Sequence, residues 1–123
     1  MALNVAAGEG ARANGICNIA IGDGAVAIGA YQVVTSEKLT LPTNYTSDMY
    51  KQFLAVVLNN LEVYEAISKQ NFAPPEFGEK AKKALLPLIN IINGRVQELQ
   101  EQEKRQAELA KEKDEEAPET IVI

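Results

Sequence analysis

The 123-residue chain has no histidine and no tryptophan, and Cys17 is its one cysteine. Without histidine there is no Ser-His-Asp or Cys-His nucleophile system, and the usual zinc ligand sets are gone too. A single cysteine closes no intrachain disulfide, so no disulfide framework is expected. No apolar run approaches the roughly 20 residues of a membrane span, and no charged-then-apolar leader opens the chain. Basic residues are in deficit, 12 against 17 acids, for a net charge of −5. That balance argues against a protein that must neutralise phosphates, so neither nucleic acid nor membrane is an expected partner. No paired carboxylates or phosphate-cradling loop stands out either. A non-enzymatic chain is expected, with no catalytic residue, no metal and no cofactor.

What is present is unevenly distributed. Residues 1–30 hold nine Ala and six of the eight Gly, too few large side chains for a self-sufficient core. Residues 98–119 carry nine acids against four bases, which accounts for the whole net charge. Prolines punctuate at Pro42, Pro74, Pro75, Pro87 and Pro118. These shifts divide the chain into a Gly/Ala segment (1–36), a linker (37–46), a helical region (47–113) and a tail (114–123). The expected fold class is α+β.

The Gly/Ala segment repeats. Shifted by fourteen, Asn4-Val5-Ala6-Ala7-Gly8-Glu9-Gly10-Ala11 falls on Asn18-Ile19-Ala20-Ile21-Gly22-Asp23-Gly24-Ala25. A half-period of seven brings Ile19-Ala20-Ile21-Gly22 back as Val26-Ala27-Ile28-Gly29, and a degraded third unit starts at Gln32. Fixed-period self-similarity signals a solenoid. Apolar residues two apart mark short strands, and Gly8, Gly10, Gly22, Gly24 and Gly29 supply positive-φ turn positions. The pattern predicts a β-roll of about two coils, two strands per coil, with Val5, Ile19, Ile21, Val26 and Ile28 in a shared interior.

Asn18 to Gly29 resembles the head repeat of the YadA-like trimeric autotransporter adhesins, a left-handed β-roll with a fourteen-residue period. The resemblance covers about 26–34 residues. It implies a homotrimer with three rolls around a threefold axis. With no long stalk and no C-terminal membrane barrel in this sequence, a complete autotransporter is not expected. The same repeat occurs in phage fibre and other virion proteins, which need no secretion signal.

Thr46-Ser47-Asp48 offers an N-cap and an acidic first turn to a helix over about 47–71. Phe53, Val57, Leu61 and Tyr64 fall on its apolar stripe. A second helix over about 76–113 presents Leu85, Leu88, Ile92 and Leu99, with a break or kink expected near Pro87. Past Leu99 the seam turns polar, which leaves open a thin parallel trimeric coiled coil. The acidic tail is expected to be solvated and to end in an apolar peptide, Ile121-Val122-Ile123, that docks on a partner by strand addition.

These features point to a structural homotrimer of a phage virion, a head-fibre, decoration or fibre-attachment protein bound to other virion structural proteins. A host-surface adhesin module is the alternative. A cytosolic helical scaffold or assembly chaperone is the third reading.

Overall fold

The computed structural model describes the backbone of residues 3–122 and the side chains of residues 3–111. The fold is α+β. Five short strands come first: β1 (Val5–Ala7), β2 (Arg12–Ile16), β3 (Ile19–Ile21), β4 (Val26–Ala30) and β5 (Val33–Thr35). Helices α1 (Ser47–Lys69) and α2 (Phe77–Val122) follow.

The strands pair in parallel at a constant offset. Val5 lies beside Ile19 and Ile19 beside Val33, giving a sheet in the order β1-β3-β5. Arg12 lies beside Val26 in a second sheet of β2 and β4. Every partner is fourteen residues away, so the chain coils with two strands per turn, and β5 opens a third coil.

The alternation runs opposite to the expected sense. The roll interior is filled by Ala20, Ala25 and Ala27, with Ala13 and Val34 against them. Val5, Ile19 and Ile21 face the helices instead, and Val26 and Ile28 face solvent, 46% and 60% exposed. Space decides this. Only residues 17 and 18 separate β2 from β3, a corner too tight for the roughly 10 Å of ordinary stacked sheets. Methyl groups fit between the sheets and branched side chains do not. Val26 and Ile28 therefore lie outside the roll interior.

Thr46 caps α1, its hydroxyl accepting from the Met49 amide at 3.3 Å. The helices form an antiparallel hairpin. α1 ends at Lys69 beside the start of α2, and Ser47 at its other end meets Glu103. Tyr50, Val57, Leu61 and Tyr64 pack with Phe77, Leu85, Leu88, Ile92 and Val96, while Phe53 and Leu99 are half-buried at the margin. The expected break at Pro87 is absent, since α2 runs through it. Pro87 and Lys83, whose carbonyl loses its i+4 donor, both lie on the exposed side of α2, where solvent can meet an unpaired carbonyl.

The roll and the hairpin share one core. Val5, Ala7, Cys17, Ile19 and Ile21 belong to the same buried cluster as the helix residues. Residues 37–46 are strapped down rather than free. Leu39, Leu41 and Tyr45 pack on that cluster, and the Tyr50 hydroxyl donates to the Pro42 carbonyl. The expected tail also differs, because α2 continues in helical backbone to Val122.

Candidate interaction surfaces

One corner of each coil is held by a polar side chain. The Asn4 carboxamide oxygen accepts from the Asn18 amide at 2.9 Å, and the Asn18 oxygen accepts from the Gln32 amide at 3.0 Å. Asn4 Nδ2 donates to the Gly15 carbonyl, and Asn18 Nδ2 to those of Asn14 and Gly29. The residues before Asn18 and Gln32 turn the chain with positive φ, 54° at Cys17 and 58° at Tyr31. This ladder was missed as a role, although the repeat alignment places Asn4 over Asn18.

The opposite corner is the glycine turn. Gly8, Gly10, Gly22 and Gly24 form it with positive φ, whereas Gly29, expected as a turn, lies with positive φ inside β4 beside Gly15 of β2, near the Asn18 corner. At Gly8 the coils come so close that an added Cβ would sit 2.5 Å from the Gly22 carbonyl carbon. Asp23, on the middle turn, joins three segments. Its carboxylate accepts from the Thr40 hydroxyl at 2.6 Å and from the amides of Thr40 and Glu9, both at 2.8 Å. Those bonds, with Lys38 nearby, hold its pKa below the usual carboxylate value. Tyr64 shows the opposite effect: burial and the neighbouring Cys17 push its phenol well above the ordinary tyrosine range. Its hydroxyl donates to the Leu3 carbonyl at 2.5 Å.

Among the described residues, three surfaces have no intrachain partner. The first is the outer face of the β2–β4 sheet, where Arg12, Asn14, Ile16, Val26, Ile28 and Ala30 are exposed side by side in register. The second is a groove of about 370 Å³ between β1 and the first turns of α1, lined by Asn4, Ala6, Tyr45, Met49, Phe53 and Val56 among others. The third is the end of α2. The Glu103 carboxylate accepts from the Ser47 hydroxyl at 2.8 Å, a favourable place for an acid at the positive end of α1. Beyond Glu103 the helix continues to Val122, about 28 Å at 1.5 Å per residue. Residues 100–111 are all exposed.

The expected site residues therefore separate. Val5, Ile19 and Ile21 come together under the helices with Val57, Leu61, Tyr64, Leu85, Leu88 and Ile92. Val26 and Ile28 gather on the outer sheet face with Ile16, which sequence reasoning passed over. The side chains of Ile121, Val122 and Ile123 lie outside the described residues. No group of three or more metal-ligating side chains and no helix long and apolar enough to cross a membrane occurs among the described residues. No family model, no curated protein and no solved structure matches this chain.

Proposed function

We propose that this chain is a non-enzymatic structural homotrimer of a phage virion, a head-fibre, decoration or fibre-attachment component. In this reading the outer faces of three β2–β4 sheets meet one another. The carrying observation is the exposure of Ile16, Val26 and Ile28 together on the sheet of the roll that the helices do not cover. Contiguous exposed apolar surface on a small protein marks an interaction site. The resemblance of the fourteen-residue repeat to a trimeric roll supports three copies over two. The overhanging end of α2 extends the same idea, since a solvated single helix gains stability by pairing with its copies.

Ile28→Asp tests the reading. Ile28 is 60% exposed in the protomer, so the variant should keep its fold and its circular dichroism. In a trimer it would place three carboxylates in an apolar contact and dissociate the assembly. Light scattering at micromolar concentration should find the trimer in the parent and its loss in the variant. A well-folded parent monomer at micromolar concentration would sink the proposal, and co-purification with phage particles tests the virion assignment separately.

A further inference from the structure

β1 is an edge strand with a ready-made place for one more strand. It pairs with β3 on one side, and no described strand pairs with its other edge. The Val5 amide donates to the Asn18 carbonyl and the Ala7 carbonyl accepts from the Gly22 amide, so both residues turn their polar groups toward β3. Alternation along a parallel ladder then turns the Ala6 amide and carbonyl outward, to the open edge. Beside that edge the α1 residues Met49, Phe53 and Val56 form the groove wall, with Met49 and Val56 exposed. A strand added to β1 gains main-chain hydrogen bonds from Ala6 and sets alternate side chains into the groove.

The coils define what fits. Each begins with a residue whose side-chain oxygen accepts the next coil's amide (Asn4, Asn18), or with Gln32 at the same position. Next come an apolar residue toward the helices, a small residue or valine toward the roll interior, and another helix-facing residue: Val5-Ala6-Ala7, Ile19-Ala20-Ile21, Val33-Val34-Thr35. Outside the roll, Thr120-Ile121-Val122-Ile123 follows this pattern, with a hydroxyl oxygen first and Ile121 and Ile123 two apart. A second copy's β5 is a poor occupant. It carries its own α2 on its helix-facing side, where the groove already has α1.

We propose that the open edge of β1 and the groove beneath it receive residues 120–123 of a neighbouring copy as a parallel strand. The segment sits at the end of an overhang with described side chains exposed as far as Lys111. Pro118 withholds a helical donor just before it, and its β-branched residues favour a strand over a helix. In the protomer α2 runs to Val122, so docking unwinds its last turn; the helix retained as far as residue 119 carries the peptide away from its own groove, which lies beside the start of α1, so the acceptor is a different copy. The docking needs no threefold arrangement and stands independently of the β2–β4 contact.

The test uses a fluorescent peptide of residues 114–123 titrated into the full chain carrying Ile121→Asp and Ile123→Asp, whose own tail cannot compete. The peptide should bind saturably, and adding Val56→Asp to the acceptor should weaken binding at least about tenfold while the helical circular dichroism stays unchanged. A peptide carrying both aspartates should not bind. Absence of binding, or equal binding to the Val56→Asp acceptor, overturns the proposal. In the full chain, tail docking adds a concentration-dependent association beyond the Ile28-dependent trimer, and that added association should disappear with the two tail substitutions. An unchanged sedimentation profile together with peptide binding would place the tail in its own groove and overturn docking between copies. Loss of peptide binding with the Ile28-dependent trimer intact would leave the homotrimer standing.

Discussion

Asn18 has no exposed surface, and its side chain bonds to two carbonyls and one amide. Asn18→Ala strands three backbone groups at a coil corner and should cost about 2–4 kcal/mol in urea denaturation. Asn18→Asp should be worse than alanine, because a carboxylate there faces the carbonyls of Asn14 and Gly29. If the aspartate variant is the more stable of the two, the ladder is not what holds the corner. Asp23 works through charge. Its folded pKa lies below the unfolded value of about 3.9, so its contribution is full above that value and is lost as pH falls through the folded pKa. Asp23→Asn should therefore be less stable than the parent at neutral pH, and the gap between their denaturation midpoints should close in acid. Neither role was legible from the residues themselves. Asn18 was visible only as a repeated letter, and the Asp23–Thr40 bond spans 17 positions with no local pattern to announce it.

The fourteen-residue period set the strands in their observed register, because a solenoid repeats its backbone wherever it repeats its letters. The sense of the alternation stayed hidden. In Ile19-Ala20-Ile21 both faces are apolar, so periodicity cannot say which faces inward, and the tight corner chooses alanine. Helix α1 was readable from its cap and stripe, and α2 through its stripe as far as Leu99. Pro87 misled because its cost depends on whether water can reach the Lys83 carbonyl, a property of the packed hairpin. Pro87→Ala restores a helical hydrogen bond and should stabilise the chain by about 1–2 kcal/mol, read from the thermal or urea midpoint. The α2 overhang makes a second prediction at this scale. Without a packed face, helical amides past Glu103 should exchange with solvent orders of magnitude faster than those of Leu85 to Val96 in dissociated protein. Protection of these amides that appears only in the assembled state would show the overhang pairing with its copies.

At the scale of the whole molecule, the Gly/Ala segment solves its shortage of large side chains within the chain. Its β1-β3-β5 sheet lies against the hairpin, and Ile19, fully buried, packs in one cluster with residues such as Tyr64, Phe77 and Leu88. Tyr31 adds a second tie: its ring stands edge-on to Phe77 at 5.3 Å, and its hydroxyl donates to the Phe72 carbonyl. The division into a roll module, a linker and a helical region follows composition, while the buried cluster crosses both boundaries. Ile19→Ala removes buried methyl and methylene groups where roll and hairpin meet, and should cost about 2–4 kcal/mol. One shared core predicts that this loss lowers a single transition. Helical circular dichroism and amide exchange of the roll strands should shift together by the same amount. Two independent modules would behave otherwise, with the roll opening early while the hairpin kept the parent midpoint. That split would show the helices to be a self-standing hairpin onto which the roll is merely docked.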